Sequence, residues 1–348
     1  MKKKVLFITE YLNPPYDEGI KKTVYNLFLD LDKNYDLKVI CRYGFRKDNV
    51  YVVNTNALYY SKEVKSIVRD FNPTSIVYLP FQSSTFASYL RLKLFSIFGK
   101  SSRVILIALQ PKPLKIWQQK LVKFMKPRMA LTPSPTLKAF WDKLKIKNEQ
   151  VPLLTDLSIF KPLSHNNTKE ILRKKYDLPM DAFIVSHMGH LNEGRNLKTL
   201  IPLQKAGIQV VIAASSSTPD DARGQEELKN EILESGIIIL DRYLEHIEEL
   251  YQLSNVYIFP VVKKNSSIGM PLSVLEARAC SVPVVTTDYG SIKAYMNDDF
   301  GGIKYAKPED FLNAVNSFKN MKDSEYTKNN VESLNYQFYE TIYKVIEN

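Results

Sequence analysis

The feature that most constrains the fold of this chain is an alternation of strand and helix patterns that runs along the sequence twice. In the first run, short apolar stretches typical of buried strands are each followed by residues with apolar side chains at helical spacing. Strands connected through helices lie parallel in one sheet, so the pattern predicts a parallel sheet covered by helices. The strands predicted in this run are 5–11, 37–41, 75–79, 104–109, 129–132 and 151–154.

The alternation restarts after residues 162–168, a stretch containing Pro, Ser, His and Asn that is typical of a linker. The strands predicted in the second run are 183–188, 208–214, 237–240, 256–261 and 282–286. A chain of 348 residues is longer than one hydrophobic core usually supports. We therefore predict an α/β protein of two Rossmann-like doubly wound domains, residues 1–161 and 162–330, followed by a helix over 331–348.

Composition argues against several classes of protein. The chain is 45% hydrophobic and 24% charged, with no low-complexity tract, which is typical of a folded globular protein. Cys41 and Cys280 have neither CxxC nor Cys/His spacing, which disfavours a disulfide framework or zinc site and favours a reducing compartment. No apolar stretch approaches membrane-spanning length, and neither run contains the GxGxxG fingerprint of dinucleotide oxidoreductases. We expect a cytoplasmic protein without a metal site.

The net charge of +11 is concentrated in one region of the chain. Residues 71–141 contain 11 Lys and Arg and no Asp or Glu, and the rest of the chain is balanced. This basic segment, 91–138, would attract an anionic membrane surface, a phosphorylated acceptor or nucleic acid, although a solvated basic face is the simpler alternative. Because no nucleic-acid recognition motif accompanies the charge, we expect no nucleic-acid partner.

Within the basic segment, four apolar residues recur at helical spacing among lysines: Leu114, Trp117, Leu121 and Phe124. A helix that covers the core of its own domain is the commoner explanation for such a stripe. Lysines that flank a tryptophan also suit a helix lying on a membrane surface, so both alternatives remain open.

The most informative segment is 267–285, which reads SIGMPLSVLEARACSVPVV. It runs from the end of a predicted strand through a glycine turn into a helix. Gly269 permits close backbone approach, and Pro271 fits the first turn of a helix. The amides around Met270, Leu272 and Ser273 would then point at a bound anion such as a phosphate.

Glu276 lies in the apolar helix of the same segment, between Leu275 and Ala277. An unpaired carboxylate in such a position is unfavourable, so Glu276 must have a partner. Spacing alone leaves two alternatives, a structural carboxylate that accepts hydrogen bonds from protein groups and a carboxylate that binds a ligand.

The stretch GMPLSVLEA at 269–277, followed by VPVV at 282–285, resembles the donor-site motif of the GT4 family of GT-B glycosyltransferases. In that family the carboxylate at the Glu276 position holds the donor ribose hydroxyls, and the preceding turn contacts the diphosphate and sugar. The family usually has a second Glu eight residues earlier, where this chain has Ile268, which cannot accept a hydrogen bond. Ser266 or Ser267 would then substitute, or sugar recognition differs, or the chain binds a donor without efficient turnover.

A second stretch, VSHMGHLNEGRNLKTL at 185–200, resembles the basic loop of the same family. That loop usually reads Gly-Arg-Leu, with a Lys five residues after the Arg. Here Gly189 is kept, His190 stands at the Arg position and Arg195 at the Lys position. A guanidinium makes forked contacts with phosphate oxygens, so Arg195 is expected to stabilise charge on the leaving diphosphate. The resemblance thus implies Arg195 and Glu276 as the catalytic residues.

The resemblance also implies roles for residues in the first domain. Gly19, preceded by Glu18, follows the first strand where the family has a glycine pair facing the donor. Gln110 falls where many relatives have an active-site His, and an amide cannot act as a general base. Retaining transfer in the family is thought to use the donor phosphate as the base, so activity remains possible without that His. From the resemblance we also expect Glu18, Gln110 and Ile268 on the sugar and acceptor side. Asp156 resembles a structural Asp of the interdomain strap.

The fold implied by the resemblance is GT-B, with two Rossmann-like domains facing across a cleft and the C-terminal helix crossing back to the first. The implied function is transfer of a sugar from a nucleotide-diphosphate-sugar donor to a glycan or lipid-linked acceptor, with retention and without metal or cofactor. Because Ile268, Gln110 and His190 differ from the usual residues, the alternative is a weak or non-catalytic GT-B homologue that binds nucleotide or glycan.

Overall fold

The computed structural model describes residues 2–16, 18–100, 102–164, 168–214, 222–242, 244–264, 266–297, 300–319, 321 and 330–348. The chain divides into two compact units. Unit 1 comprises Met1–Leu154, Ile268–Met270 and Asn335–Asn348, and unit 2 comprises Thr155–Ser267 and Pro271–Leu334. Compared with the predicted division, residues 155–161 group with unit 2, and Ile268–Met270 group with unit 1.

Unit 1 is built on a parallel sheet of seven strands in the order β5-β3-β1-β6-β7-β8-β9. The strands of the unit are β1 (Lys4–Ile8), β2 (Tyr11–Leu12), β3 (Asp36–Cys41), β4 (Tyr43–Gly44), β5 (Val50–Val52), β6 (Ser75–Tyr78), β7 (Arg103–Ile107), β8 (Met129–Thr132) and β9 (Asn148–Gln150). Its helices are α1 (Gly19–Asn34), α2 (Lys62–Phe71), α3 (Phe86–Phe98), α4 (Ile116–Val122) and α5 (Pro135–Lys143). The short strands β2 and β4 pair only with each other.

Unit 2 is built on a parallel sheet of six strands in the order β12-β11-β10-β13-β14-β15. Its strands are β10 (Ile184–Gly189), β11 (Gln209–Ala214), β12 (Ile238–Leu240), β13 (Val256–Phe259), β14 (Val284–Thr286) and β15 (Ile303–Tyr305). Its α-helices are α6 (Lys169–Lys175), α7 (Ile201–Lys205), α8 (Ala222–Glu234), α9 (Ile247–Leu253), α10 (Leu272–Ala279), α11 (Ile292–Tyr295) and α12 (Phe311–Lys319). Short 3-10 helices lie at Glu193–Arg195, Leu197–Leu200 and Pro308–Asp310.

Both sheets have the strand order of a doubly wound fold, because the chain first moves outward from the central strand and then crosses to its other side. The order reverses between β1 and β6 in unit 1 and between β10 and β13 in unit 2. The central strands are buried on both faces, and Val5–Ile8 of β1 are fully covered. The predicted pair of Rossmann-like domains is confirmed.

The last helix, α13 (Val331–Glu347), returns the chain to unit 1. Its Tyr343 hydroxyl donates to Asp30 Oδ1 at 2.6 Å, and Asn34 Nδ2 donates to that hydroxyl at 2.8 Å. At the amino end of β6, Ser75 Oγ donates to the Ile346 carbonyl at 3.2 Å. Aromatic and hydroxyl groups therefore hold the end of the chain on α1 and the first sheet, as predicted for the C-terminal helix.

The strand predicted at 151–154 is wrong. The edge strand is instead β9, whose polar residues Asn148–Gln150 pair with β8. In the apolar run that follows, the Val151 amide donates to the Thr132 carbonyl at 3.0 Å, and the residues after it bury their side chains outside any strand. At an edge, backbone pairing needs no apolar side chain, whereas burial of apolar side chains needs no strand. Hydrophobicity therefore indicated the core contact but not the hydrogen-bonded residues.

The basic segment does not form one continuous surface. Its first member, Arg91, is 6% exposed and forms an ion pair with Glu10.

Cys41 and Cys280 are both free and buried. Among the helices of the described residues, none is both long and apolar enough to cross a bilayer.

Candidate functional site

The candidate site of unit 2 lies at the carboxyl ends of β10 and β13, where the strand order reverses. Ligands of open α/β sheets bind at such a point, because the loops after the two strands diverge and leave a crevice. The loop after β10 contains Gly189, His190 and Arg195, and the loop after β13 leads into α10 with Glu276. The two segments identified in the sequence are therefore neighbours in the sheet.

Arg195 ends the short 3-10 helix after β10 and points back towards the strand ends. A Cβ atom on Gly189 would lie 3.7 Å from both Nε and Cζ of Arg195, an ordinary van der Waals distance, so the guanidinium lies against the end of β10. Burial lowers the pKa of Arg195, while the nearby Tyr257 and Tyr289 act in the opposite direction. An arginine remains charged even so, and the fold thus holds a cation in a partly buried position, with its Nε fully covered.

His187 lies beside this guanidinium on β10 and is fully buried. Its Nδ1 is 2.9 Å from the Ile258 carbonyl oxygen, which can only accept, so Nδ1 carries the proton. Burial lowers the pKa of His187 to about 3, and the charge of Arg195 adds to the effect. The imidazole is therefore neutral at physiological pH.

The loop between β13 and α10 is held by hydrogen bonds to its backbone. The Tyr289 hydroxyl accepts from the Ser267 amide and donates to the Ser267 carbonyl, both at 2.8 Å. A Cβ on Gly194 would lie 2.6 Å from Ser266 Oγ, so this glycine lets the loops after β10 and β13 approach. These contacts fix the backbone beside the two serines that were considered as substitutes for the missing glutamate.

Helix α10 begins at Leu272, and Pro271 is its N-cap rather than a residue of its first turn. Ser273 is half-buried at the second helical position, and Leu272 is buried. Among the residues that the structure describes, no side chain caps the helix. The first amides of α10 therefore lack a side-chain cap, as expected where they are to face an anion.

Glu276 is 3% exposed on α10, and its Oε2 accepts a hydrogen bond of 2.8 Å from the Tyr251 hydroxyl. Burial and the nearby carboxylate raise the pKa of Tyr251 well above its usual value, so the phenol stays protonated and donates. The structure thus supplies a protein partner for Glu276. A carboxylate has several acceptor positions, and one bond to Tyr251 is compatible with a second role towards a ligand.

The turn before α10 belongs to unit 1, and its glycine serves packing. The Gly269 amide donates to the Leu109 carbonyl at 3.1 Å, and a Cβ on Gly269 would lie 2.9 Å from Ser134 Cβ. Met270 is buried, and its sulfur accepts from the Leu153 amide at 3.3 Å. The close backbone approach predicted for Gly269 exists, but towards protein groups, and Ile268 beside it is half-buried.

The remaining predicted residues of unit 1 lie at the ends of its strands and helices. The Gln110 carbonyl, after β7, accepts from Ser83 Oγ at 2.6 Å and from Ser84 Oγ at 3.0 Å. Glu18 is the N-cap of α1, and Gly19 is its first residue. The bonds from Ser83 and Ser84 fix the chain between β7 and α4 at Gln110. The neighbouring Leu109 carbonyl accepts from the Gly269 amide, so the turn at 269 is held next to Gln110.

The predicted site residues therefore form two sets. One lies at the strand ends of unit 2 and contains Gly189, His190, Arg195, Pro271, Leu272, Ser273 and Glu276. The other lies in unit 1 and contains Glu18, Gly19, Gln110, Ile268, Gly269 and Met270. His190 is half-buried, and its carbonyl accepts from the Asn192 amide at 3.1 Å. The roles assigned to these residues stay predictions.

Asp156, the residue predicted to be structural, lies outside these two sets. Asp156 Oδ1 accepts from the amide and the hydroxyl of Ser158, at 2.9 and 2.6 Å. That local turn accounts for Asp156 without a ligand. Within the described ranges, His, Cys, Asp and Glu form no group of three placed to hold a metal ion.

The part of the chain that contains the basic loop and α10 matches a known protein family. Residues 189–320 match the family Glycosyl transferases group 1. The match includes the basic loop from Gly189 onwards and the whole of the segment that contains Glu276. The resemblance to group 1 glycosyl transferases is thereby confirmed.

One curated relative is similar to part of the chain. The putative teichuronic acid biosynthesis glycosyltransferase TuaC of Bacillus subtilis is 28% identical over 149 residues, which are 41% of this chain. The matched region spans only about a third of TuaC, 34% of its length. Similarity to this relative therefore concerns a part of both proteins.

Solved glycosyltransferase structures share the fold over the whole chain. HepE of Anabaena, in complex with UDP-glucose, superposes with a TM-score of 0.73 at 14% identity, covering 98% of this chain and 99% of HepE. The catalytic domain of starch synthase IV from Arabidopsis thaliana, bound to ADP and acarbose, superposes with a TM-score of 0.73 at 13% identity and full coverage of both chains. The predicted GT-B fold is confirmed by these similarities.

Sequence reasoning missed four residues that shape the site: His187, Tyr251, Tyr257 and Tyr289. Tyr257 is fully buried on β13 and stacks with His187 at a centroid distance of 6.2 Å. A polar ring inside an apolar strand was the available signal, because a buried hydroxyl or imidazole needs a partner. Which partner it finds depends on neighbouring strands and helices, and Tyr251 on α9 lies 25 residues before Glu276.

Proposed function

We propose that this chain is a GT4-like glycosyltransferase that transfers a sugar from a nucleotide-diphosphate-sugar donor. The observation that carries the proposal is the partly buried guanidinium of Arg195, at the switch point of a sheet that matches group 1 glycosyl transferases. A cation in a desolvated position stabilises the negative charge that develops on a leaving diphosphate. HepE is bound to UDP-glucose and starch synthase IV to ADP, which supports this class of donor.

The geometry of unit 2 suggests which residues would contact the diphosphate and which the ribose. The diphosphate would lie against Arg195 and the first amides of α10, both of which are pre-organised by the fold. Glu276, which accepts from Tyr251, would also accept hydrogen bonds from the ribose hydroxyls. In this proposal neither a metal ion nor a cofactor is needed, because Arg195 and the helix amides supply the positive potential. The anomeric configuration would be retained, with the donor phosphate taking the acceptor proton in place of a side chain at Gln110.

A donor-binding assay tests the role of Glu276. Thermal unfolding is followed with UDP, ADP, GDP and their glucose conjugates, and we expect one nucleotide to raise the Tm of the wild type. Glu276→Gln keeps the volume and an acceptor for Tyr251 but loses the charge, so we expect the Kd of that nucleotide to rise about 10- to 100-fold. The exposed Glu231, which pairs with Lys198 at the surface of unit 2, gives the control Glu231→Gln with an unchanged Kd.

Product formation separates the enzyme from its non-catalytic alternative. The alternative rests on Ile268, Gln110 and His190, which replace groups that usually touch sugar or phosphate. Purified protein is incubated with each nucleotide-sugar and a glycan acceptor, and release of the nucleoside diphosphate is measured. Tight nucleotide binding with neither hydrolysis nor transfer from any donor would favour the non-catalytic homologue.

A surface of unit 1 supports a lipid-linked acceptor and attachment to a membrane. Helix α4 and the residues that follow expose large apolar side chains, with Ile116 76%, Trp117 53% and Phe124 75% accessible. The stripe therefore does not cover the core, and only Leu114 packs against it. Exposed lysines surround these side chains in a region without acidic residues: Lys115, Lys120, Lys123 and Lys126. We propose that this α4 surface, residues 115–126, docks on an anionic phospholipid bilayer from the cytoplasmic side.

Vesicle binding tests the α4 surface, and the tryptophans of the chain provide the signal. Trp141 is fully buried and donates to the Tyr89 hydroxyl at 2.7 Å, so its emission serves as an internal constant. Trp117 emission is expected to shift to the blue with phosphatidylglycerol-containing vesicles and to remain unchanged with pure phosphatidylcholine. Removing two exposed apolar side chains in Ile116→Ser/Phe124→Ser should weaken partitioning at least tenfold, because each contributes about 1.5–3 kcal/mol when buried.

The control for membrane docking is Tyr336→Ser, which removes an aromatic side chain that is 69% exposed on α13. Its vesicle affinity should equal that of the wild type. Equal affinity for neutral and anionic vesicles would contradict the electrostatic part of the proposal. Full binding by Ile116→Ser/Phe124→Ser would contradict insertion of the α4 surface.

A further inference from the structure

His187 has one ring nitrogen that the fold uses and one that it leaves beside the site. Nδ1–H donates to the Ile258 carbonyl at 2.9 Å, and this bond fixes the orientation of the ring. The ring also stacks on Tyr257, with an interplanar angle of 10°. With Nδ1 protonated in a neutral imidazole, Nε2 carries the lone pair and can only accept a hydrogen bond. The sheet therefore presents a fixed acceptor at the end of β10.

This acceptor and a donor of Arg195 face the same small space. A Cβ on Gly189 would lie 3.1 Å from His187 Nε2 and 3.7 Å from Arg195 Nε. Both nitrogens are fully covered, and neither finds a hydrogen-bond partner among the described residues. Glycine at 189 thus leaves a gap between a buried lone pair and a buried N–H. Because unsatisfied buried polar groups are unfavourable, the two are complementary across that gap.

We propose that His187 is a positioning residue for Arg195, accepting from Arg195 Nε–H through a water molecule in the gap or after a side-chain rotation that closes it. This inference rests on the proposed donor site. The guanidinium has five N–H donors, and fixing Nε towards His187 turns the terminal Nη groups away from the strand, where they can make forked contacts with a diphosphate. His187 itself touches neither donor nor acceptor. Its effect reaches the ligand only through the orientation of Arg195.

The structure also gives a reason for histidine rather than another acceptor at this position. A carboxylate here would neutralise the charge of Arg195 that the diphosphate requires. Burial and the neighbouring guanidinium lower the pKa of His187 to about 3, so the ring neither adds a competing positive charge nor titrates in the physiological range. A neutral acceptor orients the guanidinium and leaves its charge available to the ligand.

The first test compares two substitutions of His187 by their Kd for UDP, ADP and GDP. His187→Phe keeps a ring on Tyr257 but removes Nε2, and we expect the Kd of the preferred nucleotide to rise about tenfold, with kcat reduced as well. His187→Gln places an amide oxygen near the former Nε2 position and should restore most of the affinity. An unchanged Kd in His187→Phe would overturn the inference while leaving the proposed function intact.

A double-mutant cycle shows whether His187 acts through Arg195. In an Arg195→Met background, His187→Phe should change the Kd by less than twofold, because its target is gone. The same tenfold loss in both backgrounds would overturn the inference. If Arg195→Met alone leaves nucleotide affinity unchanged, the proposed donor site is contradicted as well, so the two failures are distinguishable.

A measurement on the unaltered protein covers the case in which His187→Phe does not fold. The chain has four histidines, so nitrogen-15 NMR of histidine-labelled protein can resolve each imidazole. We expect one ring to remain in the neutral Nδ1–H form from pH 8 down to pH 5, with its Nε2 resonance shifting on nucleotide binding. An Nε2–H tautomer at His187 would overturn the inference, because Nε2 would then be unable to accept.

Discussion

Arg195→Met is expected to lower kcat/KM for sugar transfer by about 100- to 1000-fold, the range found when one pre-organised donor to a developing negative charge is removed. Methionine keeps most of the aliphatic volume beside Gly189, so the loops after β10 and β13 should remain in place. The Kd of the nucleoside diphosphate should rise with it, since the same group meets the diphosphate before and after transfer. Initial rates with saturating acceptor and isothermal titration with the nucleotide provide the two measurements.

The chain offers a matched control for this substitution. Lys198 lies three residues after Arg195, but its side chain is exposed and pairs with Glu231. Lys198→Met should leave kcat/KM and the nucleotide Kd within about twofold, because exposed ion pairs contribute roughly 0–1 kcal/mol. If Arg195→Met and Lys198→Met behave alike, a specific contact between Arg195 and the diphosphate is refuted.

The second large effect concerns the buried ion pair of unit 1. Glu10 and Arg91 are both 6% exposed, and further bonds hold the pair in place. Glu10 Oε2 accepts from the Phe81 amide at 2.7 Å, while Arg91 donates to the Ala57 carbonyl at 2.6 Å and to the Tyr78 hydroxyl at 3.1 Å. The network ties together the segments that follow β1, β5 and β6. Burial raises the pKa of Glu10 by more than the neighbouring guanidinium of Arg91 lowers it.

Arg91→Met is therefore expected to reduce the free energy of unfolding by about 3–5 kcal/mol, because it leaves the buried carboxyl group of Glu10 without its cationic partner. Glu10→Leu/Arg91→Met, which removes both charges, should recover a large part of that loss. Urea denaturation followed by circular dichroism measures both. The control is Lys138→Met, which breaks the exposed pair with Asp142 on α5 and should cost less than about 1 kcal/mol. Comparable losses for Lys138→Met and Arg91→Met would contradict the importance of burial.

The buried pair also changes the interpretation of the charge distribution. A count along the sequence places Arg91 and Lys126 in the same basic segment, although Arg91 points into the core and Lys126 is exposed. Arg91 is on α3 among residues that face the sheet, and its charge can be buried there because Glu10, which follows β1, is its ion-pair partner. Among the cations that remain accessible, Lys115, Lys120, Lys123 and Lys126 lie in and around α4, where the apolar side chains are exposed too. Together these groups form the surface proposed for the bilayer.

The sequence by itself determined the order of strands and helices and therefore the fold. Apolar periodicity is a local property, and parallel strands joined by helices leave few topologies, so two doubly wound units could be predicted from it. The two segments that carry the candidate site were also local, because a glycine before a helix and a basic loop after a strand can be recognised within a few residues. The strands β5 and β15, each of three residues, were not predicted.

Tertiary structure decided the partners of those residues. Glu276 is satisfied by Tyr251 from another helix, the glycine at 269 faces Leu109 and Ser134, and His187 meets Arg195 across Gly189. Each of these contacts joins positions far apart in the chain or on different loops, and hydrogen bonding depends on angles and distances that spacing does not encode. Whether α4 turns its apolar stripe inward or outward was equally a matter of what the rest of unit 1 had already covered. The sequence determined which groups the site contains, and packing determined where each side chain points and what it contacts.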